Sequence, residues 1–90
     1  MATDTSERDP EDVRIGATIR ALREAHGLTG TELARAIGVS GPLISLIESG
    51  DRRATIVNCQ VIANLLGVPL AAITIKGYDR IADQHAKAVS

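Results

Sequence analysis

The chain has 90 residues, of which 44% are hydrophobic and 1% aromatic, and its formal net charge is −1. This length fits one domain with a core of Ile, Leu, Val and Ala, which favours small packed helices and an all-α fold. Cys59 is the only cysteine, which excludes an intramolecular disulfide and indicates a reducing compartment. The start of the chain is polar and no apolar run approaches the ~18 residues of a membrane span, so we expect a cytoplasmic protein.

The charges are unevenly distributed along the chain. Residues 1–12 hold five acidic residues and one arginine, whereas residues 13–77 hold seven basic and four acidic residues. We therefore expect an acidic leader without fixed structure over residues 1–10 and a mildly basic domain over residues 11–76. Residues 77–90 are expected to form a C-terminal extension, either a dimerisation element or a disordered tail.

Two helices are predicted in the first part of the domain. Apolar residues recur at four- and three-residue steps over residues 11–26, which predicts the first helix. These apolar positions are Ile15, Ile19 and Leu22. Thr29, with Glu32 three residues later, predicts a capping box at the start of the second helix.

The following segment predicts two or three further helices. Ser40 is placed to cap a third helix, whose first turn tolerates Pro42 because the missing amide has no intrahelical partner there. Thr55 is placed to cap a fourth helix over residues 56–66. Residues 70–74 fit a short fifth helix, whereas residues 73–75 alternate between apolar and polar in a way that suits a strand.

The second and third helices flank the turn Gly38-Val39-Ser40, a spacing typical of a helix-turn-helix. From residue 19 to residue 70 the sequence resembles the Cro and lambda-repressor family, also called the xenobiotic-response-element family. The resemblance rests on linked elements in a fixed order: Leu28-Thr29, Glu32-Leu33-Ala34, the Gly38 turn, Ile44-Ser45, Ile47-Glu48-Ser49-Gly50 and Leu66-Gly67-Val68. It implies a bundle of four to five short helices in which helices 2 and 3 form the helix-turn-helix.

The resemblance further implies that the third helix enters the major groove of double-stranded DNA. The residues at the implied base-reading positions are Gly41, Pro42, Ser45 and Leu46. Only Ser45 has a side chain that forms hydrogen bonds. We therefore expect readout through DNA shape and through contacts of Pro42 and Leu46 with thymine methyl groups.

The same resemblance implies contacts with the DNA backbone. The expected phosphate-binding residues are Arg20, Thr29, Thr31, Ser40, Arg52 and Arg53. Gly30 stands where the family usually has a glutamine that touches a phosphate, so we expect a weaker contact there. Arg23 and Glu48 resemble a family pair that bridges helix 1 to the recognition helix, and we expect a structural role for them.

The fourth helix is apolar nearly all round. We expect its inward face to hold Ile56, Cys59, Ile62, Ala63 and Leu66, with the thiol buried and inert. A second apolar face is then left for residues 70–88 or for a second subunit to cover. The interface that we expect in a homodimer consists of Val57, Val61, Leu65, Leu70, Ile73 and Ile75.

The leading hypothesis is a sequence-specific transcriptional regulator of the repressor or Cro type, phage-like, that occupies an operator as a dimer. The alternative is a protein-interaction module on the same scaffold, namely an antitoxin, antirepressor or adaptor that binds a toxin or a rival regulator. The apolar recognition helix motivates this alternative. The sequence has no catalytic constellation, metal-ligand spacing or phosphate-binding glycine loop, so we expect no enzyme, no metal and no cofactor.

Overall fold

The computed structural model describes residues 8–78 and residue 80. Five helices occur in this part of the chain: α1 (Pro10–Ala25), α2 (Gly30–Ile37), α3 (Gly41–Ser49), α4 (Ile56–Leu66) and α5 (Leu70–Thr74). The described residues contain no strand, so the all-α prediction is confirmed and residues 70–74 form the short helix. Most of the expected leader and of the expected C-terminal extension lies outside the described residues.

Side-chain caps start the first four helices. In each of them a side-chain oxygen accepts a hydrogen bond from a backbone amide of the first turn, and the four capping residues are Asp9, Thr29, Ser40 and Thr55. Thr29 and Glu32 make both hydrogen bonds of the predicted capping box, at 3.0 and 2.8 Å. The cap at Asp9 was not predicted, because that residue was assigned to the leader. None of the described helices has the length and apolar character needed to cross a membrane.

The core contains residues from all five helices. Its largest fully buried side chains are those of Ile19, Leu33, Ile44, Ile47, Cys59, Ile62 and Ile73. Burial raises the pKa of the Cys59 thiol, which therefore stays protonated. The predicted inward position of Ile56 is wrong, since this residue is 63% exposed. Ile56 is the first residue of α4, at an end of the helix that the other described helices leave uncovered.

The backbones of α1 and α3 approach each other closely at two glycines. A Cβ atom on Gly16 would overlap the carbonyl oxygen of Ile47 and lie 2.9 Å from that of Glu48. Gly50 adopts a φ of 86°, and a Cβ there would lie 2.7 Å from Cγ2 of Val13. Only glycine permits this contact at either position. It places the last turn of α3 directly against the first half of α1.

We expect the substitution Gly16→Ala to lower the free energy of unfolding by about 1–3 kcal/mol, because α1 and α3 must move apart to admit the methyl group. Urea unfolding followed by circular dichroism measures this change. Gly30→Ala is the matched control, since the nearest atom to its Cβ would be Cγ2 of Ile44 at 3.9 Å. A Gly16→Ala protein as stable as the control would contradict the close contact.

Candidate nucleic-acid interface

The turn between α2 and α3 directs one face of α3 away from the bundle. Gly38 adopts the left-handed conformation with φ 78°, and the amide of Val39 donates to the carbonyl of Ala34 at 2.9 Å. Ile44 and Ile47 bury the opposite face of α3 in the core. The helix is therefore held by one side while its other side meets solvent.

The outward face of α3 carries the four residues that were expected to read bases. Pro42, Ser45 and Leu46 are exposed and Gly41 is half-buried. Their spacing along the helix, at positions one, two, five and six, places them on neighbouring turns of one surface. The structure thus brings these residues together, and their base-reading role stays a prediction.

A cleft of about 620 Å³ lies between this face, α1 and the first turn of α2. Two glycines open it: a Cβ on Gly30 would come no closer than 3.9 Å to Ile44, and one on Gly41 no closer than 4.0 Å to Thr31. The missing side chain at Gly30 therefore leaves space rather than being replaced by a neighbour. Arg20, Thr31 and Ser45 also line the cleft.

Arg23 and Glu48 join α1 to α3 at the base of this cleft. Nε of Arg23 lies 2.7 Å from Oε2 of Glu48, and Nη2 lies 3.0 Å from Oε1, which makes a two-bond ion pair. Nη1 of Arg23 donates to the carbonyl of Leu28 at 2.7 Å. The two side chains are only 12% and 9% exposed, and the hydrogen bond to Glu48 raises the pKa of Arg23. One guanidinium thus connects α1, α3 and the loop before α2.

The other polar residues expected at the phosphates are accessible. Arg20 is exposed and pairs with Glu24 at 3.2 Å. The hydroxyls of Thr29 and Ser40 accept cap hydrogen bonds, and each still has a hydrogen to donate to a phosphate oxygen. Thr31 is exposed beside the cleft.

The loop after α3 carries the arginine pair, and both residues are exposed. Arg52 has no ion-pair partner among the described residues. Arg53 lies 3.3 Å from a carboxylate oxygen of Asp12 and 3.6 Å from one of Asp9. The sequence did not indicate this pairing, because residues 9 and 12 are far from residue 53 along the chain.

The exposed side of α4 is largely apolar. Val57 is 67% exposed, Val61 39% and Leu65 44%, at four-residue steps along the helix. Ile75, just after α5, is 46% exposed, whereas Leu70 packs partly buried against the core. The structure removes Ile73 from the predicted dimer interface, because α5 turns this side chain fully into the core.

Comparisons with known proteins agree with this architecture. The sequence profile of the helix-turn-helix family HTH_3 matches residues 19–73. The restriction-modification controller protein C.AhdI from Aeromonas hydrophila is 28% identical, with a TM-score of 0.68 over 72% of this chain and 98% of that chain. The clp gene regulator ClgR from C. glutamicum is 26% identical, with a TM-score of 0.71 over 80% of this chain and 94% of that chain. No curated protein gave a significant match.

We expect Glu48→Gln to lower the free energy of unfolding by about 1–3 kcal/mol, because it neutralises the carboxylate that pairs with the part-buried Arg23. Urea unfolding of each variant measures this loss. Glu24→Gln is the matched control: it breaks the exposed pair with Arg20 and should cost less than about 1 kcal/mol. Equal losses in the two variants would show that the inner pair does not hold α3 in place.

Proposed function

The chain belongs to the helix-turn-helix family HTH_3, and from this membership we propose that it is a cytoplasmic, DNA-binding transcriptional regulator that inserts α3 into the major groove. The observation that carries the proposal is the outward face of α3, which is held from behind by the core and flanked by exposed arginines. The similar proteins are named as a controller and a gene regulator, and the prediction that the chain is not an enzyme is confirmed by this family.

The chemistry of the α3 face supports readout by shape more than by hydrogen bonds. The Ser45 hydroxyl is the one hydrogen-bonding side chain among the four residues expected to read bases. Pro42 and Leu46 offer apolar surface that fits the methyl groups of thymines in the major groove. We therefore expect preference for a few thymine positions together with a preferred groove width.

Binding strength is expected to come from contacts with the DNA backbone on both sides of α3. Arg52 and Arg53 follow the C-terminal end of the helix, and Arg20 of α1 lines the cleft beside α3. Charges placed on both sides hold the helix in register along the groove but carry no sequence information. The net charge of −1 for the whole chain does not oppose this, because the arginines are local to the interface.

We further propose that the protein occupies an operator as a homodimer, in the manner of a repressor or Cro protein. The exposed face of α4 supports this, because it contains Val57, Val61 and Leu65 and the helix has no charged residue. Two copies of such a face meet without repulsion between like charges. A two-fold dimer also matches a palindrome, whose half-sites lie about 34–36 Å apart.

Arg52→Gln combined with Arg53→Gln should weaken binding to a duplex selected from a random pool by about tenfold, and lower the salt slope of log K by about two. Fluorescence anisotropy at several salt concentrations measures both quantities. The matched control, Lys76→Gln with Arg80→Gln, removes the same charge after α5 and should leave the slope nearly unchanged. If the wild-type protein bound no duplex from the random pool even at low salt, the DNA-binding proposal would be rejected, and the alternative of a protein-interaction module would be favoured.

Val57→Lys should convert a dimer to a monomer, because it adds a like charge to the apolar face of both copies. Sedimentation equilibrium of both proteins tests this. Val57 is 67% exposed, so the fold should be retained, and circular dichroism checks that point. Ala17→Lys adds the same charge at an exposed position of α1 and should leave the dimer intact. A wild type that stays monomeric at all concentrations would contradict this interface.

A further inference from the structure

The start of α1 and the loop after α3 are joined by ion pairs in both directions. Arg8 donates to Asp51 in the loop, with Nε 2.7 Å from Oδ1. In the opposite direction, Arg53 of the loop forms ion pairs with Asp12, at 3.3 Å, and with Asp9, at 3.6 Å. Each segment thus contributes both a cation and an anion, and we refer to these five residues as the clasp.

The fold itself brings the two halves of the clasp together. Val13 contacts Gly50 at the end of α3, so the first turn of α1 lies beside the loop that follows. Asp9 is the N-cap of α1, and the side chain of Asp12 is only 15% exposed. The acidic residues are therefore held on a helix at fixed positions and are not part of a freely moving tail.

The loop half of the clasp is held in place as well. Ser49 donates a hydrogen bond to Asp51 at 2.8 Å, and this bond together with Arg8 holds the pKa of Asp51 below its ordinary value. Asp51 is therefore charged near neutral pH. The ion pair with Arg8 then persists under those conditions.

Arg53 is also one of the two arginines expected to grip the DNA backbone after α3. Nε of Arg53 donates to Asp12, so one N–H group is not available to a phosphate, and the carboxylates of Asp12 and Asp9 repel the phosphate directly. Arg53 is nevertheless 72% exposed, so a phosphate can reach it by displacing the carboxylates. The two partners compete for one cation.

We propose that the clasp is an autoinhibitory contact, in which Asp9 and Asp12 hold Arg53 back from the DNA backbone until a phosphate replaces them. This inference rests on the proposed DNA-binding function. Exposed ion pairs of this kind are weak, so the restraint changes DNA affinity by about two- to fivefold and does not block binding.

The substitution Asp12→Asn tests the proposal, because it keeps the size of the side chain and removes its charge. Affinity for the selected duplex, measured by fluorescence anisotropy, should increase about two- to fivefold. Glu11→Gln is the matched control: it removes the same charge from the same helical turn, but Glu11 pairs with Arg14 and does not contact Arg53. The control should show a clearly smaller increase in DNA affinity, since it removes only the long-range repulsion between the Glu11 carboxylate and the DNA phosphates.

A second pair of variants separates the effect of the ion pair between Arg53 and Asp12 from the general effect of removing one negative charge. In an Arg53→Gln background, Asp12→Asn should give no more increase than Glu11→Gln, because the competing cation is absent. The proposal is overturned if the two substitutions act equally in the wild-type background, if the Asp12→Asn gain persists without Arg53, or if Asp12→Asn weakens binding. The last result would mean that the carboxylates position Arg53 for the phosphate. A wild type that binds no duplex would overturn the DNA-binding function itself, and this inference with it.

Discussion

The contact between the backbones of α1 and α3 is the constraint on which the rest of the interface depends. Gly16 and Gly50 let the last turn of α3 lie directly against α1, closer than any side chain would allow. Because the two helices are this close, Nε and Nη2 of Arg23 both donate to the carboxylate of Glu48, and Nη1 donates to the carbonyl of Leu28 in the loop before α2. The orientation of α3 is thus set by the close backbone contact with α1 and stabilised by the ion pair between Arg23 and Glu48. Its outward face follows from these two interactions.

The outward face of α3 has little capacity for hydrogen bonding. The α3 face has one hydroxyl and two apolar side chains, and the cleft beside it is open because Gly30 and Gly41 have no side chains. Such a surface distinguishes one base pair from another only weakly through hydrogen bonds, because bidentate contacts with bases need longer polar side chains. Under the proposed function, specificity then depends on groove shape and on the spacing between two copies of α3.

Electrostatics in this chain is controlled by pairing rather than by total charge. The arginines near the α3 face are not equivalent: Arg23 lies in a part-buried structural pair, Arg20 has an exposed partner, and Arg53 contacts two carboxylates. Only the exposed ones can exchange a carboxylate for a phosphate at low cost, because breaking the buried pair leaves an uncompensated charge. Under the proposed function, the acidic segment beside the basic loop would tune DNA binding without altering the fold.

The sequence by itself determined helices α1 to α4, the caps of α2, α3 and α4, and the helix-turn-helix, because these depend on residues within about four positions of one another. It therefore predicted the capping box of Thr29, whereas the set expected on the outward face of α3 was implied by the family resemblance. The tertiary structure decided which helical surfaces meet. Ile73 turned inward and Ile56 outward, since the position of α5 and the uncovered end of α4 depend on contacts between helices. The close approach at Gly16 and the pairing of Arg53 with the start of α1 have the same origin: both join residues more than thirty positions apart, which no local pattern encodes.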